Sequence, residues 1–289
     1  MLLHFDDERD YAIRLATAAG LTLAPIERHR FPDGELKLRL PTPVATHAVL
    51  LRSLHRPNEK LIELLFAACA ARELGAQHVT LVAPYLAYMR QDAAFTPGEA
   101  VSQRIIGRWL ADLFDAVITI DPHLHRVGSL KEAVPARTAI ALSAAPLIGA
   151  SFHTTGVLML GPDAEAEPWV RAAAAAAGCD SALCRKTRHG DRAVEVTLPE
   201  ASYTERHVVI VDDVASTGHT LAAVARQVLA LGARRVDVAV THALLCDDAD
   251  AILRAAGVSS FLSTDTVPNP SNRIGTADLI ASALRTLPR

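Results

Sequence analysis

Residues 207–240, HVVIVDDVASTGHTLAAVARQVLALGARRVDVAV, hold the pattern that decides the fold. The apolar run Val208–Val211 predicts a strand buried on both faces, and Thr220–Leu231 predicts the helix that follows it. A second apolar run, Val236–Thr241, predicts the next strand. Strand, helix and strand in this order predict a right-handed parallel unit, whose ligands bind beyond the carboxyl ends of the strands.

The same alternation extends over most of the chain. Short apolar runs typical of strands alternate with segments rich in Ala and Leu that are typical of helices. This order predicts an α/β fold, in which mostly parallel sheets are flanked by helices. The further predicted strands are Thr46–Leu51, His78–Ala83, Ala116–Ile120 and Gly156–Leu160, and the further predicted helices are Asn58–Leu74, Val101–Leu113 and Glu167–Ala177.

A weak internal repeat suggests two domains of one fold. The segment that begins at His47, HAVLLRSLHRPNEKLIELLFAACAARELGAQHVTLVAP, resembles the one that begins at His207 in its order of strand, loop, helix, glycine and strand. Small residues and a proline in 142–151, LSAAPLIGAS, favour a boundary there. We therefore predict one domain over 1–146 and a second over 147–289.

The composition argues against several classes of protein. The chain has 289 residues, 50% of them hydrophobic, which suits two domains that each have a core. A net charge of −3 gives no overall positive field for nucleic acid or an anionic membrane. The apolar runs are short or broken by charge, and the N-terminus, MLLHFDDERD, does not resemble a secretory signal. We expect a cytoplasmic protein that binds neither nucleic acid nor membrane.

The four cysteines show no CxxC pair and no zinc spacing. Cys69 and Cys246 lie in apolar surroundings and are predicted to be buried thiols. Cys179 and Cys184 form a disulfide only if their geometry allows it, and a reduced state is favoured in the cytoplasm.

The link between the strand and helix of 207–240 suggests a ligand. Backbone N–H groups in a turn of Ser, Thr and Gly, followed by a helix start, favour a phosphate, and Gly218 permits close approach or a positive φ. We expect Asp212 and Asp213 at the strand end to accept hydrogen bonds from sugar hydroxyls, so ribose 5-phosphate suits both features. The turn has no lysine and is not a Walker A loop. The simpler alternative is that the acids end the strand and Ser216 caps the helix.

VVIVDDVASTGHTL, residues 208–221, resembles the PRPP-binding signature of type I phosphoribosyltransferases and of the ribose-phosphate pyrophosphokinase (PRPP synthetase) family. PRPP is 5-phosphoribosyl 1-pyrophosphate. Other segments favour the second family, appear in its order and span nearly the whole chain. They are RFPDGELKLRLP (30–41), PYLAYMRQDAAFTPGEAVS (84–102), IDPHLHR (120–126), LGPDAEA (160–166) and LCRKTRHG (183–190), and the GEAVS tail is similar to the shorter, archaeal-type branch.

The resemblance implies two tandem phosphoribosyltransferase-like domains and a defined reaction. ATP would transfer its pyrophosphoryl group to the anomeric hydroxyl of ribose 5-phosphate, giving PRPP and AMP. Attack on the β-phosphorus moves charge onto phosphoryl oxygens, which Mg²⁺ and cationic side chains stabilise. The resemblance also implies a homo-oligomer built from dimers, of which a hexamer is one form.

The resemblance further implies a role for each motif. Lys186 and Arg188, on a mobile loop, would neutralise the transferring group, while His123 and Asp163 would place Mg²⁺-bound phosphates. The segment around Phe31 would reach into the site of a neighbouring subunit. The implied ribose 5-phosphate residues are Asp212, Asp213, Ala215, Ser216, Thr217, Gly218, His219 and Thr220, and the implied ATP residues are Phe31, Asp33, Glu35, Arg90, Gln91 and Asp92.

Each motif also has a plainer interpretation. KTRHGDR is then a solvated basic turn, Pro-Asp-Gly an ordinary turn between strands, and His123 a packed or capping residue. The sequence departs from the family where Ala93 and Ala94 replace basic residues, Glu165 and Glu167 add negative charge, and His219 replaces a small residue. These departures keep open a non-catalytic regulatory subunit. A phosphoribosyltransferase acting on a base, which needs no ATP site, is the third alternative.

Overall fold

The computed structural model describes residues 1–152, 156–189, 193–246 and 248–287, apart from the side chains of 186–195. It divides into two compact units. The first consists of Met1–Leu142 together with Thr276–Arg289, and the second of Ser143–Gly275. The boundary after Leu142 lies at the start of the predicted stretch 142–151.

The first unit is built on a six-stranded parallel sheet. Its strands run in the order β2-β1-β5-β6-β7-β8, and β3 and β4 form a separate antiparallel hairpin. The elements are β1 (Leu2–His4), α1 (Arg9–Ala19), β2 (Leu23–Pro25), β3 (Glu27–Arg30), β4 (Leu36–Arg39), β5 (His47–Leu51), α2 (Pro57–Glu73), β6 (His78–Ala83), α3 (Ser102–Leu113), β7 (Ala116–Ile120), α4 (Leu130–Ala133), β8 (Thr138–Leu142) and α9 (Ala277–Thr286).

The second unit has a parallel sheet of the same size. Its strand order is β10-β9-β13-β14-β15-β16, and β11 and β12 form a separate antiparallel hairpin. The elements are α5 (Ala145–Ala150), β9 (Val157–Gly161), α6 (Glu167–Ala177), β10 (Asp180–Leu183), β11 (Arg185–His189), β12 (Ala193–Thr197), β13 (His207–Ala215), α7 (His219–Ala230), β14 (Arg235–Ala243), α8 (Ala249–Ala255), β15 (Ser260–Thr264) and β16 (Asn272–Ile274).

The two sheets share one topology. In each, the second strand of the sheet lies at the edge beside the first, and the later strands follow in sequence order on the other side. Each unit also inserts its antiparallel hairpin between the second and third strands of its sheet. The predicted α/β fold of two related domains is therefore confirmed, and the weak sequence repeat corresponds to this shared topology.

The central strands are apolar because helices cover both faces of each sheet. Every residue of β7 and of β9 is buried. In the first unit the side chains of Leu50, Leu64 and Leu81, from β5, α2 and β6, are at most 1% exposed and belong to one core cluster. Close packing of this kind fixes the strand ends, from which the functional loops begin.

The predicted strand Val208–Val211 is too short. β13 continues through both acids to Ala215, and its ladder pairs Asp212 with Val240 and Val214 with His242. The strand continues because β14 is equally long and offers backbone partners beyond the apolar run. The acids are therefore held inside a regular strand and do not end it.

The last helix belongs to the first unit, not to the second as the predicted range 147–289 implies. The hydroxyls of Tyr11 and Thr276 are hydrogen-bonded at 2.7 Å, and an Arg285 nitrogen donates to the Ala18 carbonyl at 3.0 Å. Ile280 and Ala281 are fully buried, so the apolar face of α9 is covered within the first unit. Among the described residues, no helix has both the length and the apolar character needed to span a bilayer. The four cysteines are free, but Cys69 is exposed and Cys246 is half-buried, so the prediction that these two thiols are buried is wrong.

Candidate functional site

The loop between β13 and α7, called the cradle below for its predicted role, leads directly into the start of a helix. It consists of Ser216, Thr217 and Gly218, and α7 begins directly after it at His219. Gly218 has a φ of 74°, in the left-handed region. The first N–H groups of a helix have no partner within the helix and carry partial positive charge, so they favour a phosphate.

The side chains of this cradle differ in exposure. Ser216 and Thr220 are half-buried, Thr217 and His219 are exposed, and Ala215 is buried. The loop is braced by the segment after β14. There the Cys246 N–H donates to the Ser216 carbonyl at 3.3 Å, and the Cys246 sulfur lies 3.6 Å from the Ser216 hydroxyl.

Asp212 and Asp213 lie on opposite faces of β13, as successive residues of a strand must. Asp213 is 4% exposed, whereas Asp212 is half-buried. The Asp213 N–H donates to the Asp212 carboxyl at 2.9 Å. Burial, followed by the nearby carboxylates of Asp213 and Asp163, raises the pKa of Asp212 well above its ordinary value. The charged form of Asp212 is therefore disfavoured in the ligand-free protein.

Asp163 follows β9, the strand beside β13, which explains why its carboxylate influences Asp212. Its side chain accepts a hydrogen bond from the Glu165 N–H at 3.0 Å and so caps a short 3-10 helix, Ala164–Ala166. Glu167 forms a 2.6 Å ion pair with Arg171 on the next turn of α6, which offsets part of its added negative charge. In the part of the chain that the structure describes, no three His, Cys, Asp or Glu side chains form a ready metal site.

Lys186 and Arg188 lie in a hairpin strand. Their backbones pair with Val196 and Val194 of β12, so the predicted loop is a strand as far as His189. Their side chains lie outside what the structure describes, as do residues 190–192 entirely. The prediction that this segment is mobile stays a prediction.

In the first unit, the residues predicted to hold adenine form the tip of the β3–β4 hairpin. The Phe31 N–H donates to the Glu35 carbonyl at 2.8 Å, and the Glu35 N–H donates to the Asp33 carboxyl at 3.1 Å. Gly34 has a φ of 95°. The tight turn expected from Pro-Asp-Gly is therefore present, and the Phe31 side chain is 39% exposed on it.

Ion pairs fix this hairpin to α2. Arg28 pairs with Glu63, and Arg30 pairs with Glu59 at 2.6 Å. Glu63 also pairs with Arg52, which is 1% exposed and lies 2.8 Å from an Asp7 oxygen. A cavity of about 450 Å³ lies beside the hairpin, lined by Arg30, Gly34, Glu35, Leu36, Glu59, Ile62, Glu63 and Phe66.

The other predicted ATP-binding segment, residues 90–92, lies in the long loop after β6. Arg90 is exposed. The Gln91 amide donates to the Ala93 carbonyl at 3.0 Å and therefore braces its own loop. The Asp92 side chain is fully buried and pairs with Arg126, so its carboxylate is not presented to solvent. This arrangement does not favour the predicted direct contact between Asp92 and ATP.

His123 lies after β7, beside His125. The Nε2 atoms of the two rings are in contact, and their ring centroids are 3.9 Å apart. Asp121 begins this segment at a φ of 37°, and its N–H donates to the Leu142 carbonyl at 2.8 Å. A non-glycine residue in the left-handed region often marks a functional segment.

Sequence reasoning missed His125, Phe95 and Arg126. The Arg126 guanidinium carbon lies 5.2 Å from the centre of the Phe95 ring. Because β6 and β7 are parallel neighbours, the loops that follow them lie at one sheet edge. Applied to HLHR, residues 123–126 after β7, this rule indicates that Arg126 approaches the loop after β6.

Comparisons with known proteins agree with the fold. The family model for the N-terminal domain of ribose phosphate pyrophosphokinase matches residues 1–114, and that for the phosphoribosyl transferase domain matches residues 130–255. A ribose-phosphate pyrophosphokinase from Methanopyrus kandleri is 38% identical, with 95% of this chain and 94% of the relative covered. Ribose-phosphate pyrophosphokinase 2 from Archaeoglobus fulgidus is 37% identical, with 93% and 94% covered.

A solved structure supports the architecture. The crystal structure of phosphoribosylpyrophosphate synthetase from Mycobacterium smegmatis matches with a TM-score of 0.83, covering 99% of this chain and 97% of that chain. The two sequences are 23% identical, so this likeness supports the fold alone.

Proposed function

Because the chain belongs to the ribose-phosphate pyrophosphokinase family, we propose that it transfers the pyrophosphoryl group of ATP to the anomeric hydroxyl of ribose 5-phosphate, giving PRPP and AMP. The observation that carries this proposal is the pairing of a phosphate cradle, Ser216–Gly218 with the first turn of α7, and two acids on the strand that leads into it. A pentose 5-phosphate offers an anion to the cradle and hydroxyl donors to the acids.

Binding of the sugar would offset the unfavourable negative charge at the end of β13. Ribose hydroxyls that donate to the half-buried Asp212 would stabilise its charged carboxylate, which is disfavoured without a ligand. The sugar contact of Asp213, which is buried on the other face of β13, stays a prediction from the resemblance. The N–H groups of Thr217 to Thr220 would bind the 5-phosphate, with the hydroxyls of Ser216, Thr217 and Thr220 as further donors. His219, which is exposed at the helix start, adds a donor in place of a small residue. In this scheme the cradle holds the 5-phosphate and the acids of β13 hold the ring hydroxyls, so the sugar is oriented from both ends.

ATP recognition is assigned to the first unit. Phe31 offers a ring on which adenine packs, and Asp33 and Glu35 offer acceptors for the exocyclic amine. Arg90 is exposed and supplies charge to the phosphates, whereas Gln91 and Asp92 support the loop that carries it. We propose that the hairpin tip serves a neighbouring subunit, so the active form is a homo-oligomer built from dimers, with a hexamer as one form.

The residues present fit a magnesium ion that arrives with ATP. Mg²⁺ commonly binds through one or two carboxylates together with substrate phosphates, and does not require a cage of protein ligands. Asp163, in the second unit, offers a carboxylate among like charges, and His123, in the first unit, offers an imidazole. From the resemblance, we propose each residue as a contact of Mg²⁺-bound phosphates. When bound, the ion neutralises phosphate charge and makes the β-phosphorus a better electrophile.

The transfer step depends on positioning and on cationic side chains. The anomeric hydroxyl must face the β-phosphorus in line with the leaving oxygen of AMP, and the cradle and acids hold the sugar for this attack. Lys186 and Arg188, in the hairpin after β10, are proposed to stabilise the charge that accumulates on the phosphoryl oxygens. We place the reaction in the cytoplasm.

The test is AMP release by the purified chain with MgATP, with and without ribose 5-phosphate. The proposal predicts AMP and PRPP in equal amounts and only when the sugar phosphate is present. Absence of AMP under all conditions would instead support the regulatory subunit that the Ala93, Ala94 and Glu165 departures keep open. PRPP-dependent reaction with a nucleobase, without use of ATP, would support the third alternative.

A further inference from the structure

Arg126 is an exposed cation held in a fixed position by a buried acid. One of its nitrogens donates to a carboxyl oxygen of Asp92, whose side chain is 0% exposed, whereas the Arg126 side chain is 55% exposed. The other Asp92 oxygen is buried and has no hydrogen-bond partner. A buried carboxylate is costly without a cationic partner, so the pair is strongly held.

An aromatic ring restrains the same guanidinium. The Arg126 guanidinium carbon lies 5.2 Å from the centre of the Phe95 ring, and Phe95 is 66% exposed. The backbone of Phe95 is fixed in turn, because its N–H donates to the Glu99 carboxyl at 2.7 Å. Arginine has five N–H donors, more than one carboxyl oxygen can accept, so Arg126 keeps donors for a ligand.

The loop after β6, with which Arg126 pairs through Asp92, has few positive charges of its own that could bind the phosphates of a nucleotide. It carries exposed Arg90, but Ala93 and Ala94 supply no cation, and the carboxylate of Glu99 is committed to Phe95 and Thr96. Arg126 comes from the loop after β7 and thus places a second guanidinium beside this segment. A polyphosphate would meet two cations from two neighbouring loops.

We propose that Arg126, held by Asp92 and Phe95, binds the phosphates of ATP and supplies the cation that Ala93 and Ala94 lack. This inference rests on the proposed function and adds a binding residue to it. Asp92 then acts as a positioning residue through Arg126. The alternative is that the Arg126–Asp92 pair only braces two loops.

The test measures AMP formation by Arg126→Gln across ATP and ribose 5-phosphate concentrations. Loss of one charge-assisted contact predicts a KM for ATP about tenfold higher, with the KM for ribose 5-phosphate unchanged. Arg108→Gln, which removes an exposed arginine of α3, is the matched control and should change neither constant.

A variant that moves the positive charge to another residue distinguishes a role of Arg126 in ATP binding from a role in bracing the two loops. Adding Ala94→Lys to Arg126→Gln should restore most of the affinity for ATP, because the lysine returns a cation to the loop without restoring the Asp92 pair. Failure of this rescue, or an unchanged KM for ATP in Arg126→Gln, would overturn the inference. If the unmodified chain formed no AMP, the proposed function would fail instead. Retention of the folded state is checked by thermal unfolding of each variant.

Discussion

A Cβ atom at Gly218 would lie 3.4 Å from the carbonyl oxygen of Ala249, the first residue of α8. Gly218 also has a positive φ, which residues with a side chain rarely adopt. The conformation of the loop therefore favours glycine, whereas the added Cβ would make only an ordinary van der Waals contact with α8. This relationship connects one residue of the sequence motif to the proposed phosphate site.

Gly218→Ala should weaken ribose 5-phosphate binding and cost roughly 1 kcal/mol of unfolding free energy. The KM for ribose 5-phosphate should rise, while the KM for ATP stays unchanged. Gly178→Ala is the matched control, because Gly178 has a φ of 67° but no atom within 4 Å of its added Cβ. Equal effects of the two variants on the KM for ribose 5-phosphate would contradict the proposed cradle. Steady-state kinetics and urea unfolding provide the two readouts.

Asp212→Asn should raise the stability of the ligand-free protein and lower its activity. The Asp212 carboxylate lies near those of Asp213 and Asp163, so removing its charge relieves like-charge repulsion in the protein without metal or substrate. We expect a higher Tm for the ligand-free variant and a large loss of PRPP formation. The Asp213 N–H can still donate to the amide oxygen, so the local backbone should persist. A lower Tm with full activity would contradict both the repulsion and the role in sugar binding.

Much of the fold could be predicted because the central strands carry local signals. β6 and β7 match their predicted ranges, since each is a run of almost entirely buried apolar residues. α6 also matches, from Glu167 to a Gly178 that ends it in the left-handed conformation. The resemblance implies a loop at Lys186 and Arg188, where the structure has the strand β11. RKTRH shows no apolar periodicity that would predict a strand, and β11 depends on pairing with β12.

Tertiary relationships could not be predicted from local pattern. The assignment of α9 to the first unit depends on contacts such as that between Tyr11 and Thr276, which are 265 residues apart. The pairing of Asp92 with Arg126 likewise joins two loops that no periodicity connects. The motif residues of the candidate site were identified from the resemblance, but the residues that support them required the structure.

The buried charges beneath the hairpin predict a pH-dependent stability. Lys60 Nζ lies 3.2 Å from His55 Nε2 and 2.6 Å from the Ser53 carbonyl oxygen. Burial, together with the charges of Lys60 and Arg52, lowers the pKa of His55 to about 4 from its ordinary 6.5. Below pH 6.5 the unfolded chain therefore protonates His55, whereas the folded chain keeps the ring neutral until the pH approaches 4. The stability that depends on the neutral ring is fully present above pH 6.5 and is lost as the pH falls towards 4.

His55→Gln should remove this dependence, because glutamine does not titrate and its oxygen can accept from Lys60. The free energy of unfolding should fall less between pH 6.5 and 4 than in the unmodified chain, by about 2 kcal/mol once the partial exposure of the ring is considered. His29→Gln, at an exposed position of β3, serves as the control. Parallel pH profiles for all three proteins, measured by urea unfolding, would contradict the prediction.

Lys186→Ala should slow the transfer step more than it weakens binding. A cation that acts on charge developing at the β-phosphoryl group stabilises the transition state more than the bound substrates, so its loss should lower kcat by about 100- to 1,000-fold. The KM values for ATP and ribose 5-phosphate should change little. Arg185→Gln removes an exposed cation from the adjacent position of the same strand and should keep most of the activity. Single-turnover formation of AMP distinguishes the chemical step from product release, and an unchanged single-turnover rate in Lys186→Ala would remove this lysine from the proposed mechanism.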